Sequence, residues 1–455
     1  MSFEFQLPAG WEWSNIDTLK AEGRSIVSGP FGSNIGSRFF VEAGVPVIRG
    51  NNLSLDAIRF KDTGFVFLSD EKAEEFRNCE AHVNDLVFTA AGTIGQVGII
   101  PPNARFPKYI ISNKQLRARL DTRRIRPIFA YYWLSSPAMI QFIQSRNTGS
   151  TIPLINLTVL KSLPIPVPPL LIQDAIVQTI EPLDNRISLL RETNTILEAI
   201  AQTLFKSWFV DFDPVKAKAQ GKQPEGMDEA TAALFPSEFE ESALGLIPKG
   251  WRVEKFGNVI DKYIDNRGKT PPLVKNGIPL IEIKHLLEND ICPSIDTDKQ
   301  VSQETFDTWF RAHPQKNDIL ISTVGTIGRL SLMGNEQLAI AQNILGLRVG
   351  SVIEPEYFYY LMKDSRFISD VDARLVITVQ ASIKRKDLET IDLLVPPKDV
   401  QQAFTYLVSS LVDKQIENQQ KSRTLANLRD TLLPRLISGQ LRINQAQDLI
   451  NEVGA

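Results

Sequence analysis

Apolar residues along this chain follow two spacings that alternate. Between residues 7 and 165, short apolar runs such as Gly64-Phe-Val-Phe-Leu68 and Val97-Gly-Ile-Ile100 are separated by Gly, Pro and Asn at close intervals. This pattern is typical of strands and tight turns, with room for a few helices such as Pro127 to Gln144. Residues 247–393 repeat it. We therefore predict two mixed α+β globules that are rich in β structure.

After each globule the apolar residues follow a heptad repeat. The first repeat places Ile176, Leu183, Leu190, Leu197 and Leu204 at every seventh position, with Ile180, Ile187, Ala201 and Trp208 between them, and the second has Phe404, Leu411, Leu425 and Leu432. Such spacing predicts two long helices that pair as a coiled coil. A proline-rich step precedes each helix. At 1.5 Å per residue, the helices would form rods of roughly 55–60 Å.

Two asparagines, Asn194 and Asn418, interrupt the heptad seams. A buried asparagine lowers stability but fixes register and partner, so these residues could specify the two helices for each other. The alternative is a solvated defect in an imperfect seam.

The chain contains this organisation twice. Leu7-Pro-Ala-Gly-Trp11 returns as Ile247-Pro-Lys-Gly-Trp251, and the block from Asn84-Asp85 to Gly92-Thr-Ile-Gly95 returns 233 residues later. A period this long exceeds that of solenoids and propellers, so it indicates duplicated domains. The predicted division is a first globule at 1–165, a helix at 166–210, a linker at 211–246, a second globule at 247–393, a helix at 394–440 and a tail at 441–455.

The segment between the first helix and the second globule is acidic. Residues 211–246 carry eight acidic residues against three lysines. We expect a loosely packed crossing segment rather than another core. If the two rods pair antiparallel, the globules lie at opposite ends and the chain has pseudo-twofold symmetry.

Composition argues against several classes of protein. Of the 455 residues 43% are apolar, yet no run approaches the roughly 20 apolar residues of a membrane span. The start, Met1-Ser-Phe-Glu-Phe5, is unlike a secretory signal. Cys79 and Cys292 lie far from other metal-ligand types, which argues against disulfides and zinc sites. We therefore expect a soluble, cytoplasmic, metal-free protein.

Motifs of catalysis are missing from the sequence. His82, His285 and His313 lack metal-ligand spacing, and there is no Gly-x-Ser-x-Gly elbow, Walker A loop, S-adenosylmethionine loop or adenine methyltransferase motif. The repeated Gly-Thr-Ile-Gly, at 92–95 and 325–328, is predicted to be a tight strand-to-strand turn rather than a nucleotide loop. We predict a non-catalytic chain without a cofactor of its own.

Basic segments stand out once the acidic linker is set aside. The net charge is −3, but residues 105–126 carry eight basic residues against the single acid Asp121, and Lys384-Arg-Lys386 forms another basic run. Such clusters can neutralise DNA phosphates. For any single residue, an ordinary solvated face is the alternative.

Several motifs in fixed order resemble one known family. They are the opening Leu7-Pro-Ala-Gly-Trp11, the loops Ser28-Gly-Pro-Phe-Gly-Ser33 and Arg267-Gly-Lys-Thr-Pro-Pro272, the duplicated Asn-Asp and Gly-Thr-Ile-Gly blocks, the Pro-Pro steps before the heptad helices, and Phe205-Lys-Ser-Trp-Phe-Val-Asp-Phe-Asp213. In this order they resemble the specificity (S) subunits of Type I restriction–modification enzymes over nearly the whole chain.

The resemblance implies two target recognition domains, each reading one half of a split, asymmetric DNA sequence, joined by two helices in an antiparallel coiled coil. It also implies that the helices dock two modification subunits, which bind S-adenosylmethionine and methylate adenine. Restriction subunits that use ATP and Mg²⁺ would join to cut double-stranded DNA. The chain itself would be a non-catalytic subunit of that complex.

Candidate DNA contacts lie where the two copies differ. Arg49-Gly-Asn-Asn52 corresponds to Glu282-Ile-Lys-His285, and arginine and asparagine can make bidentate contacts with guanine and adenine. We predict base contacts from Arg49, Asn51, Asn52, Lys284 and His285 and from the loop residues Phe31, Ser33, Asn34, Arg267, Lys269 and Thr270. Phosphate contacts are predicted from Arg117, Arg119, Lys384, Arg385 and Lys386.

Two rival functions remain open at the level of sequence. A methyltransferase or nuclease acting alone would need an S-adenosylmethionine loop or a metal-binding acidic cluster, and neither is found. A non-catalytic protein-binding scaffold, with duplicated globules on a coiled coil, predicts no DNA binding. The basic segment and the resemblance favour DNA.

Overall fold

The computed structural model describes residues 7–55, 58–266, 270–377 and 380–453, and the chain divides into two compact units. Unit 1 runs to Ser188 and resumes at Arg423, whereas unit 2 covers Leu189–Ser422. Each unit thus contains one of the predicted globules together with segments of both long helices. Two predicted site residues, Arg267 and Lys269, lie outside the described residues.

The body of unit 1 is made of short strands rich in β-branched and aromatic residues, which favour pleated, buried surfaces. The strands are β1 (Glu12–Asn15), β2 (Ile26–Ser28), β3 (Phe40–Val41), β4 (Val45–Ile48), β5 (Val66–Leu68), β6 (Glu80–Ala81), β7 (Leu86–Thr89), β8 (Val97–Ile99), β9 (Tyr109–Ile111), β10 (Gln115–Ala118) and β11 (Pro164–Val167). An antiparallel sheet has the order β2-β10-β7-β8, a second sheet has the order β3-β5-β4-β9-β6, and β1 pairs with β11. Because β4 and β9 are parallel, with Ile48 opposite Ile111, their carboxyl ends meet at one edge.

Unit 2 repeats this topology. Its strands are β12 (Phe239–Ser242), β13 (Gly245–Pro248), β14 (Arg252–Lys255), β15 (Lys262–Ile264), β16 (Ile278–Ile281), β17 (Gln300–Val301), β18 (Ile319–Ser322), β19 (Leu330–Leu332), β20 (Ala339–Ile340), β21 (Ile344–Arg348), β22 (Val376–Ile377), β23 (Ala381–Ser382) and β24 (Asp392–Val395). The antiparallel sheet β15-β21-β18-β19 corresponds to the first sheet of unit 1. In the sheet β17-β16-β20, Ile281 of β16 lies opposite Ile340 of the parallel strand β20.

Two helices are far longer than the rest. The helices are α1 (Ile16–Leu19), α2 (Asp70–Glu74), α3 (Pro127–Leu134), α4 (Pro137–Ser145), α5 (Leu157–Ser162), α6 (Leu170–Phe209), α7 (Asp213–Ala219), α8 (Glu229–Ala233), α9 (Phe256–Val259), α10 (Gln303–Trp309), α11 (Pro355–Lys363), α12 (Ser365–Asp372), α13 (Arg385–Leu388), α14 (Lys398–Ile437) and α15 (Ile443–Val453). The predicted heptad helices are α6 and α14, each of 40 residues. Within the described ranges, no helix combines the length and the apolar character that crossing a membrane requires.

The helices α6 and α14 are antiparallel neighbours within each unit. In unit 1 Arg429 donates to Asp184 at 2.8 Å, and in unit 2 Asn418 donates to Asn194 at 2.9 Å. The partner's number falls as the number along α6 rises, as antiparallel pairing requires. Asn194 also donates to the carbonyl of Gln415 at 2.9 Å, so the two asparagines bind each other's helix. The predicted α+β fold with an antiparallel helix pair is confirmed.

Each long helix is fixed to the globule before it by a buried glutamine in its first turn. Gln173 donates to the carbonyls of Pro168 and Arg124, at 2.8 and 3.2 Å. Gln401 donates in the same way to the carbonyl of Pro396 at 2.8 Å. The bonds to Pro168 and Pro396 satisfy carbonyls that the proline-rich step leaves without helical donors.

The acidic segment at 211–246 is packed rather than loose. Phe212, Val215 and Phe235 are buried, and the Phe235 ring lies 5.1 Å from the ring of Trp208 at the end of α6. The segment contains α7, α8 and the hairpin β12-β13, so the expectation of a loosely packed crossing is wrong. Its charges are mostly exposed while a few widely spaced apolar side chains fix it to the core of unit 2.

Candidate nucleic-acid interface

In unit 1, three loops meet where the parallel strands β4 and β9 end. The amide of Ser112, after β9, donates to the carbonyl of Ile48 at 2.9 Å, and the amide of Gly29, after β2, donates to Gln115 at 3.0 Å. A Cβ on Gly29 would lie 1.8 Å from the carbonyl oxygen of Ser112, so only glycine permits this approach. Loops 29–34, 49–52 and 112–114 are therefore neighbours, and we call them the unit 1 loop cluster.

The loop at 29–34 projects its predicted contact residues into solvent. The Phe31 side chain is 84% exposed, and Ser33 and Asn34 are exposed beside it. An aromatic ring exposed to this degree has no packing role within the domain. It suits stacking on a base or wedging between base steps.

Two of the predicted base contacts in the turn at 49–52 differ in their exposure to solvent. Asn51 is exposed, and its amide donates to the carbonyl of Gly64 at 3.2 Å. Arg49 is half-buried, and among the described residues its Nε finds no hydrogen-bond partner. That Nε is buried, so a contact from Arg49 to a base edge would come from the outer nitrogens of the guanidinium.

Asn52 and His285, predicted to contact bases, are instead structural. Asn52 is buried, accepts from the amide of Arg49 at 2.9 Å and donates to the carbonyl of Thr63 at 2.9 Å. His285 accepts in the same way, through Nδ1, from the amide of Glu282 at 2.9 Å. Burial lowers the pKa of His285, which keeps the ring neutral and able to accept. Both side chains are buried and serve their own turns, so the prediction that they contact bases is wrong.

Unit 2 forms the corresponding cluster at the ends of β16 and β20. The amide of Ala341 donates to the carbonyl of Ile281 at 2.9 Å, and Lys284 is exposed at this edge. The predicted contact residue Thr270 is also exposed, but no described contact joins it to this edge. The ammonium of Lys284 lies 3.7 Å from the Glu282 carboxylate, which Lys299 binds more closely at 2.7 Å. Hydrogen bonding by Lys299 lowers the pKa of Glu282.

The Gly-Thr-Ile-Gly segments are turns that connect antiparallel strands, as predicted. The first joins β7 to β8, and Gly92 and Gly95 have φ of 95° and 99°, which favours glycine. In unit 2 the amide of Gly325 donates to the carbonyl of Ala381 at 2.8 Å. This contact brings the exposed run 384–386 beside the turn.

The basic run of unit 2 remains available to a phosphate. Lys384, Arg385 and Lys386 are all exposed. Arg385 lies 3.1 Å from the Glu389 carboxylate and its guanidinium lies 4.6 Å from the centroid of the Tyr263 ring. These contacts hold one of the three cations in place at the surface.

Arg117 and Arg119, predicted to bind phosphate, both have hydrogen-bond partners within unit 1. Arg117 is only 3% exposed and donates to the carbonyls of Glu80 and Arg24, at 2.9 and 2.6 Å. Arg119 binds the buried Asp85 with two hydrogen bonds of 2.7 Å. The prediction for Arg117 is wrong, because charge along a strand does not reveal which residues have internal partners. The Arg119 side chain is 41% exposed beside its ion pair, so its phosphate contact stays a prediction.

The repeated Asn-Asp motif forms the same Asp–Arg ion pair in both units. Arg348 binds Asp318 with two bonds of 2.8 Å, as Arg119 binds Asp85. The preceding Asn317 has φ of 69°, a left-handed conformation that asparagine tolerates. The motif therefore supports the sheet rather than a ligand.

Two cluster residues escaped the sequence reasoning. Gln96 follows the first Gly-Thr-Ile-Gly turn and donates to the carbonyl of Leu53 at 3.2 Å; Arg329 follows the second turn and donates to that of Leu286 at 3.4 Å. Both reach the residue after the turn that carries the predicted base contacts. Gln96 and Arg329 occupy the same position in the two repeats but differ in residue type. This difference at a shared position could have marked them as candidate contacts in the sequence.

A family model for the type I restriction modification DNA specificity domain matches residues 42–199 and 248–426. These stretches cover most of the chain and lie one in each repeat. The chain belongs to this family. The prediction that it is a specificity (S) subunit of a Type I restriction–modification enzyme is confirmed.

Known relatives share a quarter of the sequence of this specificity subunit. The MjaIX type I specificity subunit of Methanocaldococcus jannaschii is 26% identical over 368 residues, covering 79% of this chain and 78% of the relative. The HindI type I specificity subunit of Haemophilus influenzae is 25% identical over 456 residues, covering 87% and 98%. A crystal structure of a Type-I S subunit from M. genitalium matches 96% of this chain and 97% of its own at 17% identity, with a TM-score of 0.49.

Proposed function

We propose that this specificity subunit reads a bipartite, asymmetric DNA sequence and directs adenine methylation or restriction by partner subunits to it. Unit 1 would read one half-site and unit 2 the other. Two modification subunits would carry S-adenosylmethionine, and restriction subunits would supply ATP- and Mg²⁺-dependent cleavage. The proposal places the complex with the cell's DNA in the cytoplasm.

The loop clusters are the observation that carries the proposal. Both units gather loops at the ends of a parallel strand pair, and the exposed residues there differ between units: Phe31 and Asn51 in one, Lys284 in the other. A common scaffold with different exposed side chains suits two half-sites of different sequence, since side chains at the groove select the base.

An apolar stripe on α6 supports the docking of partner subunits. Leu189, Ile196 and Ile200 are exposed at intervals of seven and four residues, so they share one face of the helix. Exposed apolar side chains in a row mark protein contact surfaces. We assign this face of α6 to a modification subunit.

The test is methylation mapping by single-molecule sequencing in the host, with and without this chain. We expect deletion to abolish N6-methyladenine at one split, asymmetric motif and re-expression to restore it. In parallel, the purified full-length chain is tested on a random-sequence duplex library at low salt, where phosphate contacts bind most strongly.

The two measurements separate the rival functions. Loss of one split motif supports a specificity subunit and gives both half-sites. An unchanged methylome together with no duplex binding at low salt would favour the protein-binding scaffold. Methylation or cleavage by the purified chain alone would instead support an independent enzyme.

A further inference from the structure

Within unit 1, a network of charged side chains joins the first recognition segment to both long helices. By this segment we mean the turn at 49–52 and residues 58–63. Arg59 donates to Glu181 at 2.9 Å and to the hydroxyl of Tyr132 at 2.7 Å. Its Nε lies 3.5 Å from Asp184 of α6, and Asp184 accepts from Arg429 of α14 at 2.8 Å. The chain of contacts thus runs from the globule through α6 to α14.

The centre of the network is withdrawn from water. The side chains of Asp184 and Arg429 are 5% and 6% exposed. A buried ion pair loses much of its attraction to desolvation, so apolar residues of similar size often replace it without loss of stability. Its presence here calls for a role other than stability.

Arg59 belongs to the segment that carries the proposed base contacts. Its carbonyl accepts from the amide of Ile99 at 2.9 Å, which fixes its backbone to β8. Asn52 closes the same segment by donating to the carbonyls of Lys61 and Thr63, at 3.0 and 2.9 Å. A shift of the Arg59 side chain is therefore linked to the turn at 49–52.

Unit 2 has no ion pair at the helix positions that correspond to Asp184 and Arg429, although Glu198 of α6 binds Lys363 and Tyr360 of its globule. The residues that correspond by repeat position to Asp184 and Arg429 are Val412 and Ala201, both buried. At the position of Arg59 stands Cys292, whose backbone amide and carbonyl bind the side chain of Gln419 at 3.0 and 2.8 Å. The fold therefore does not require the buried Asp184–Arg429 pair.

We propose that Arg59, Asp184 and Arg429 are positioning residues that fix the first recognition segment on the helix pair. They would thereby set the fidelity of the first half-site and the length of spacer that the subunit accepts. This inference rests on the proposed function. The hydrogen bonds of the network depend on direction, so they fix the orientation of the Arg59 guanidinium. Apolar packing, such as Val against Ala, has no preferred direction and would let the segment shift.

The test places the apolar residues of unit 2 at the corresponding positions of unit 1. The chromosomal copy is replaced by the double variant Asp184→Val with Arg429→Ala, by Arg59→Met, or by the control Lys20→Met, which removes an exposed ion pair with Asp17 in the same unit. Methylation is mapped by single-molecule sequencing, and thermal unfolding of each purified chain shows whether it folds.

The wild type and the control should methylate one motif with one spacer length. For the double variant and for Arg59→Met, we expect methylation of first half-site mismatches and of spacers one base pair longer or shorter to rise about tenfold, the scale of one lost base discrimination. Discrimination at the second half-site should not change. Rescue of fidelity by Arg59→Lys would be partial, because lysine cannot bind two partners in a fixed fork.

A folded double variant with the wild-type motif and spacer overturns the inference and leaves the proposed function intact. Equal loss at both half-sites also overturns it, because a general defect would then be the cause. A methylome that does not depend on the wild-type chain overturns the proposed function itself, and this inference with it.

Discussion

His285 and Asn52 make the same backbone contact in the two units, but only the histidine can gain a proton near neutral pH. The pKa of His285 lies below its ordinary 6.5, chiefly because of burial. The folded state therefore binds fewer protons than the unfolded state. Stability from this residue is present above pH 6.5 and is lost as the pH falls through the lower folded pKa.

We expect the unfolding temperature of unit 2 to fall between pH 7.5 and pH 5.5 and the substitution His285→Asn to reduce that fall. The variant places the residue of unit 1 at the equivalent position and leaves the acceptor in place. Differential scanning calorimetry at several pH values measures the effect, with Asn52→Ala as a control that should destabilise unit 1 at every pH. An identical pH slope in His285→Asn would contradict the argument.

Asn51 is the strongest single candidate for a base contact in unit 1, since it is exposed and its carboxamide oxygen can accept. We expect Asn51→Ala to lower discrimination at one base pair of the first half-site by about 1–3 kcal/mol, the value of one bidentate contact. Competition binding with every single-base variant of the half-site measures it. Asn103→Ala, at another exposed asparagine of unit 1, is the matched control. Unchanged discrimination at every position would remove Asn51 from the interface.

The sequence predicts which segments lie at the candidate interface better than it predicts which side chains of those segments are free to contact DNA. The turn at 49–52 was found because its residues differ between the repeats, yet Asn52 serves the turn itself. The prediction for Arg117 is wrong because its partners, the carbonyls of Glu80 and Arg24, are remote in sequence. Such pairings depend on strand register, which the spacing of charges does not encode.

Among the elements, α11 borders a cavity of about 470 Å³ in unit 2, lined by Phe205, Tyr357, Leu361 and Leu394 among others. The repeat position of Leu361 is held in unit 1 by Trp133, whose indole donates to the carbonyl of Pro164 at 2.6 Å. The smaller leucine accounts for part of the space in unit 2.

We expect Leu361→Trp to raise the stability of unit 2 by about 1 kcal/mol, because it buries apolar area in existing space. The reverse change, Trp133→Leu, should lower the stability of unit 1 by about 2–4 kcal/mol by opening a cavity. Chemical denaturation measures both, and Leu361→Met, which conserves volume, should be nearly neutral. A destabilised Leu361→Trp would mean that the cavity cannot take the ring.

The long helices were predictable because a heptad repeat needs no knowledge of the rest of the chain. Ile176, Leu183 and Phe404 are buried as expected. The acidic segment was misread, since its average composition concealed Phe212 and Phe235, which fix it to the core. A few well-placed aromatic residues bury more area than composition alone suggests.

For the whole molecule, the division into units does not follow chain order. Unit 1 takes its helix partner from the far end of the sequence, from Arg423 onward. We expect a chain truncated after Ser422 to keep unit 2 and lose the cooperative unfolding of unit 1, because Asp184 would lose Arg429 and the buried face of α6 would lose α14. Limited proteolysis and calorimetry can show this. Truncation after Ile437 retains the pairing and serves as the control, and equal resistance of unit 1 in both chains would contradict the prediction.

Duplication made the overall plan visible in the sequence, as two globules each followed by a heptad helix. Which helix segment completes which globule was not visible, because it depends on contacts such as Asp184–Arg429 between residues far apart in sequence.

That division has a consequence for the order of events at the ribosome. The first globule emerges early, but the helix segment that completes unit 1 is made only after all of unit 2. At about 5–20 residues per second, synthesis of the intervening 189–422 takes roughly 10–50 s. During that interval the apolar face of the first half of α6 has no partner from its own chain. The nascent subunit is therefore most exposed to aggregation, and most in need of a chaperone, until the end of α14 leaves the exit tunnel.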